Sequence, residues 1–178
     1  MELANSARSQ ELDPVEQAQI VQAVAEQCMG IIDSGATASL GSLEAMEHLA
    51  RKNLEDKGDT RMEVDMDRKP IFRFGNGMTK ECVSTAKVNM DAGQKKGSME
   101  VHIHDAPGQP VLISRKALRS LGAVIDFGTN EVVYRQVDAC TVVPLQEAPN
   151  GHLLMPLTGN LLNGGTSRKT EFKGLHDE

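Results

Sequence analysis

Hydrophobic and polar positions divide the chain into a helical early part and a longer strand-rich part. Asp13-Pro14-Val15-Glu16 reads as a helix start. Asp13 can accept hydrogen bonds from free N–H groups, Pro14 suits the first turn, and Glu16 holds the capping-box position. Ile20, Val21, Val24 and Ala25 then share one side of a helix running to about Gln27. The apolar run from Cys28 to Ile32 stops at Asp33-Ser34-Gly35-Ala36, the pattern of a buried strand entering a tight turn. From Ser42 to about Leu54, Leu43, Met46, Leu49 and Ala50 recur at three and four, with Gly58 after the polar end, which predicts a second helix. Residues 55–69 are charged and read as exposed, with a strand over Met62–Met66.

From Pro70 onward the texture is that of strands. Ile71-Phe72-Arg73-Phe74 meets Gly75-Asn76-Gly77, and Asn-Gly favours a hairpin because both residues tolerate positive φ. Val83–Met90 follows as a strand, a turn is expected over Asp91–Gly97, and Met99–His104 is the next strand. Val111–Ile113 reads as a buried strand and Arg115–Leu121 as a short helix stopped by Gly122. Further strands are expected over Ala123–Phe127, Glu131–Arg135, Thr141–Leu145 and His152–Leu157. The organisation expected is a polar segment with a helix (1–27), one domain (28–162) and a flexible tail (163–178).

Composition narrows the function classes. No apolar run approaches the ~20 residues of a bilayer span, so no membrane partner is expected, and the acidic, polar start does not read as a secretory signal. A net charge of −6, one Tyr, four Phe and no Trp argue against direct nucleic-acid binding, which favours basic faces and stacking aromatics. Cys28, Cys82 and Cys140 are scattered and odd in number, which suggests neither a disulfide framework nor a cysteine zinc site and fits a reducing, cytoplasmic location.

The chemistry-bearing stretch is Ile31-Ile32-Asp33-Ser34-Gly35-Ala36-Thr37. It resembles the active-site signature of retropepsin-like aspartic proteases: two apolar residues, Asp, Ser or Thr, Gly, Ala. A second stretch, Val111 to Phe127, is similar to the family's late segment, with Ile113-Ser114-Arg115 entering a short helix before an apolar-Gly pair and a last strand. Phe74-Gly75-Asn76-Gly77 falls where the family places its flap hairpin. Order and spacing agree over roughly residues 28–135, and the wording, with Gly151-His152-Leu153-Leu154 downstream, looks most like proteases of retrotransposon Gag-Pol polyproteins. Three departures stand beside the match. Ser114 replaces the usual Gly, a helix is inserted between Asp33 and the flap, and a helix precedes Cys28 where the family has a strand.

The resemblance implies a mainly β fold, a closed acid-protease barrel with one or two added helices. It also implies an endopeptidase that acts on polypeptide, needs no metal or cofactor, and processes polyproteins inside the cell or a retroelement particle. Two carboxyls about 3 Å apart share a proton and can activate water while polarising a carbonyl. The chain has one such motif, so Asp33 of a second copy must complete the site in a homodimer. In this reading Ser34 hydrogen-bonds across the two-fold axis, Gly35 admits substrate backbone, Ala36 packs below the loop, and the flap closes over the peptide. Arg115 braces the region, although Thr37 stands where an acidic partner could be.

Other readings stay open. Asp-Ser-Gly suits turns generally, so Asp33 can be a turn residue only. The chain can be a catalytically silent retropepsin-like module that dimerises or binds peptide, or a domesticated cellular protease. Asp126-Phe127-Gly128 matches a kinase tripeptide without the rest of that machinery. His102 and His104 share a strand face that reads as solvated rather than metal-binding, and Met46, Met62, Met66 and Met99 read as core fillers.

Overall fold

Helix boundaries follow local signals closely. The computed structural model describes residues 12–74 and 76–172. In helix α1 (Pro14–Glu26), Asp13 Oδ1 accepts the N–H groups of Val15 and Glu16, and the Glu16 carboxylate accepts the Asp13 N–H, completing the capping box. Helix α2 (Leu43–Lys57) is capped by the Ser42 hydroxyl and ends at Gly58, whose φ of +79° is left-handed backbone that glycine adopts without a Cβ penalty. Ser114 caps the short helix α3 (Arg115–Ser120).

The remaining elements are strands: β1 (Met29–Asp33), β2 (Leu40–Ser42), β3 (Met62–Asp65), β4 (Ile71–Arg73), β5 (Thr79–Glu81), β6 (Ser84–Ala92), β7 (Lys95–His104), β8 (Val111–Ser114), β9 (Ala123–Asp126), β10 (Glu131–Tyr134), β11 (Thr141–Pro144), β12 (Gln146–Glu147), β13 (Leu153–Pro156) and β14 (Thr166–Ser167). Strand covers 39% and helix 21% of the described residues, so the chain is mainly β, as expected. One sheet runs β12-β13-β1-β8-β2-β7-β6-β3, a second runs β14-β11-β10-β9, and β4 pairs with β5 alone. The large sheet ends at β12 and β3, so its strand pairing among the described residues does not close the expected barrel.

Three expectations are corrected. The turn expected over Asp91–Gly97 is shorter: β6 and β7 pair from Ser84↔Ile103 to Ala92↔Lys95, and Lys95, Lys96, Gly97 and Ser98 are strand residues exposed to solvent. Their polarity reflects a hairpin end standing clear of the core. The segment assigned to a flexible tail from 163 supplies β14, and the N–H groups of Arg168 and Phe172 donate to the carbonyls of Cys140 and Ala139. Residues 173–178 lie outside the described residues. Met46 and Met99 are core residues, but Met66 is 61% exposed because it follows an edge strand.

The main core lies between α2, the central strands and the β9–β11 layer, with Leu49, Val88, Val101, Ile113, Val132 and Met155 almost fully buried. On the other side of β1, α1 packs Val24 against Ile31, Leu154 and Ala148. Strand β1 is therefore buried on both faces, which explains its unbroken apolar run. No helix among the described residues is long and apolar enough to cross a membrane.

Candidate active site

Asp33 is the last residue of β1, where the strand emerges from the core. Strand β1 runs parallel to β8 in the register Gly30↔Val111, Ile31↔Leu112, Ile32↔Ile113, Asp33↔Ser114. The close approach is built on Gly30: a Cβ there would stand 2.7 Å from Ile113 Cδ1 and 3.3 Å from the Val111 carbonyl oxygen. The two stretches that carry the family resemblance, 81 residues apart in each of these pairs, thus end side by side.

After Asp33 the chain turns sharply. Asp33 Oδ1 accepts the Gly35 N–H at 3.0 Å, and the Asp33 carbonyl accepts the Ala36 N–H at 3.1 Å. A Cβ on Gly35 would lie 3.3 Å from Asp33 Oδ1, so glycine leaves the carboxylate room beside its own donor. The carboxylate is only half-buried, Ser34, Gly35 and Thr37 are exposed, and Ala36 is half-buried.

The loop is fastened to the start of α3. The Arg115 N–H donates to the Ala36 carbonyl at 3.0 Å. The Arg115 side chain is exposed and forms no ion pair among the described residues, so here it is the Arg115 backbone that holds the loop. Ser114 is 3% exposed, and its hydroxyl accepts the Ala117 N–H and a hydrogen bond from the Ser39 hydroxyl. The side chain that replaces the usual glycine is therefore turned into the protein. Ile113 is fully buried under Gly30.

Ser39 was not a candidate from sequence. It is buried, its Oγ also accepts the Ser114 N–H at 3.1 Å, and its carbonyl accepts the His102 N–H at 2.9 Å. A lone serine in a polar loop carries no periodic signal. The usable clue was Ser114, a polar residue closing an apolar strand immediately before a helix.

The expected flap forms as a hairpin. The Phe74 N–H donates to the Met78 carbonyl at 2.8 Å, the Gly77 N–H to the Phe74 carbonyl at 2.9 Å, and Asn76 Oδ1 accepts the Met78 N–H. Gly77 has φ +82°. Gly75 lies outside the described residues. No hydrogen bond among the described residues joins this hairpin to the Asp33 loop. It meets the sheet at β7, where Phe72 lies on His102 and Lys80 pairs with Asp105 at 2.6 Å.

His102 and His104 are 8% and 7% exposed, which corrects the expectation of a solvated face: hairpin β4–β5 covers that end of β7. No group of three or more potential ligands that could hold a metal occurs among the described residues. Asp126 Oδ1 accepts the N–H groups of Gly128 and Thr129, which makes Asp126-Phe127-Gly128 a turn. A cavity of about 420 Å³ lies near Ile32, Phe127, Glu147 and His152, and Asp33 does not line it. Comparison with protein-family models and with curated proteins finds no match for this chain.

Proposed function

We propose that this chain is one protomer of a retropepsin-type aspartic endopeptidase that hydrolyses peptide bonds in polypeptides, with polyproteins as the natural substrate class. The observation that supports this reading best is the parallel Asp33↔Ser114 register, with the Asp33 carboxylate oriented by the Gly35 N–H at the strand end. A turn-only aspartate, such as Asp126, needs no glycine-enabled approach of two distant parallel strands.

In this reading two Asp33 residues meet across a two-fold axis and hold one proton between them. The unprotonated carboxyl takes a proton from water as that water attacks the peptide carbonyl. The protonated one donates to the carbonyl oxygen as it becomes a hydroxyl of the tetrahedral intermediate. Collapse then returns a proton to the departing amine. In the same reading the exposed Ser34 bonds across the axis and hairpin β4–β5 covers the bound peptide. Ile71, Phe74 and Met78, 69%, 42% and 66% exposed on a two-stranded hairpin, supply an apolar surface for such a cover.

Asp33→Asn tests the reading directly. Asn is nearly isosteric but cannot serve as the base, so cleavage of an unstructured protein mixture between about pH 4 and 7 should fall at least ~100-fold with the fold intact. Turnover within about tenfold of wild type would remove Asp33 from catalysis.

A further inference from the structure

Ser39 and Ser114 form a buried hydroxyl pair between segments 75 residues apart. Ser39 Oγ accepts the Ser114 N–H and donates to Ser114 Oγ, both at 3.1 Å, and Ser114 Oγ accepts the Ala117 N–H at 3.2 Å. Every hydrogen-bonding role in this chain depends on the one before it. Ser39 closes the loop that begins at Asp33, and Ser114 stands directly beside Asp33 in the neighbouring strand. The same loop is held at its middle by Ala36, through the Arg115 N–H, and at its end by the Ser39 carbonyl, through the His102 N–H.

We propose that Ser39 and Ser114 are positioning residues that set where the Asp33 carboxylate stands, with the Ser114 side chain doing what a glycine at that point cannot. The proposal rests on the protease reading for its catalytic consequence, but the clamp itself is a property of the loop. The two hydroxyls touch neither substrate nor the reacting atoms. Their effect runs through the loop to Asp33. Buried hydroxyls that satisfy one another hold a single geometry, because any shift leaves a polar group unpaired away from water. An error of about 1 Å in the placement of a catalytic group can lower turnover by ~100-fold.

Ser39→Ala removes the clamp while leaving the Ser114 cap of α3 in place, and Ser39→Thr restores a hydroxyl. Two readouts separate positioning from general weakening. The first is the pH dependence of kcat/KM. Coupling between two carboxyls falls as they move apart, so the two macroscopic ionisations of the pair draw together and the bell narrows in Ser39→Ala. A variant that is only less folded loses amplitude and keeps its profile. The second is amide exchange at Arg115 and Gly35, which reads the clamp without any activity. Exchange there should quicken at least ~10-fold with the β6–β7 hairpin unchanged, and kcat should fall about 10- to 100-fold with KM within about threefold. Ser39→Thr should recover most of both.

Unchanged exchange at Arg115 and Gly35, or a bell of unchanged width with normal kcat, overturns the proposal. Wild-type protein that cleaves nothing, yet shows quickened exchange in Ser39→Ala, overturns the protease reading and upholds the clamp. If Ser39→Ala is insoluble, Ser39→Gly carries the same exchange test, because it too removes the hydroxyl and leaves the Ser114 cap of α3 in place.

Discussion

The ring of Phe72 lies 5.5 Å from the imidazole of His102, tilted by 45°, and this contact fastens the outlying hairpin to the sheet. Beneath it, Thr85 Oγ1 donates its one proton to the Arg68 carbonyl and stands 2.8 Å from His102 Nδ1. Nδ1 must therefore carry the hydrogen and donate to Thr85, which leaves Nε2 bare, 3.6 Å from Glu100 Oε1. Glu100 is itself paired with Arg68.

A pH dependence of stability follows. Burial holds the His102 pKa below the usual 6.5, against the pull of Glu100 and with further lowering from Arg68 and Lys116. Burial also lowers His104, with Lys80 lowering and Asp105 raising it. The unfolded chain thus binds protons on both residues before the folded chain does. Their contribution is fully present above about pH 6.5 and is lost as pH falls through the depressed values. Thermal midpoints should drop between pH 7 and 5, well above the range where Asp91, held low by Lys57 and Arg61, begins to protonate. His102→Gln should flatten that part of the curve. A midpoint independent of pH over this interval would contradict the buried, neutral assignment.

Gly30→Ala should destabilise the protein by about 1–3 kcal/mol, the usual cost of overpacking. The new methyl would meet the fully buried Ile113 and the backbone carbonyl of Val111. Because Gly30 sits three residues before Asp33 in the same parallel ladder, the shift also moves the carboxylate. Urea denaturation reads the first effect and turnover the second. Unchanged values of both would mean that β1 and β8 approach less closely than the register requires.

Gly77→Val should harm turnover far more than stability. At φ +82° a β-branched residue is strongly disfavoured, so the hairpin tip must rearrange. Phe72–His102 and Lys80–Asp105 join the hairpin's strands to the sheet, and neither involves its tip, so distortion of the tip should cost the core little. A thermal midpoint within about 2 °C of wild type, with turnover down about tenfold or more, is the expected result. Normal turnover would show that this hairpin is not the flap.

What could be read from the chain was mostly local. Asp13, Glu16, Ser42 and Gly58 act on backbone within a turn of themselves, so the helix ends were visible as residue types at fixed offsets. The run Cys28–Ile32 announced a strand buried on both faces. The Asp33 loop and the Ser114 region were legible as two motifs, but their hydroxyl pairing through Ser39 was not, since it joins positions 75 residues apart. The burial of His102 and His104 was hidden for the same reason: alternation places both on one face, and only the fold shows that β4–β5 covers it. Lys95 to Ser98 misled in the opposite direction, because a strand exposed on both faces looks like a loop in composition.

Activity should depend on protein concentration. In the proposed protease reading one Asp-Ser-Gly per chain supplies one carboxyl, and a single carboxyl cannot share a proton with itself, so a monomer would lack the acid–base pair. Asp33 is half-buried and does not line the cavity near Ile32. Specific activity should rise with concentration below the dimer dissociation constant and level off above it, in step with sedimentation. Adding Asp33→Asn protein should suppress the wild type, because mixed dimers hold one competent carboxyl. With a ninefold excess and random pairing, only about one wild-type chain in ten meets its like, so activity per wild-type chain should fall about tenfold. The active species should titrate with two macroscopic pKa values that belong to the pair, giving a bell-shaped profile on the acid side of neutrality. A monomer with concentration-independent cleavage would sink the shared-site argument. A stable dimer that cleaves nothing, and in which Asp33→Asn leaves peptide binding unchanged, would instead favour the silent peptide-binding module.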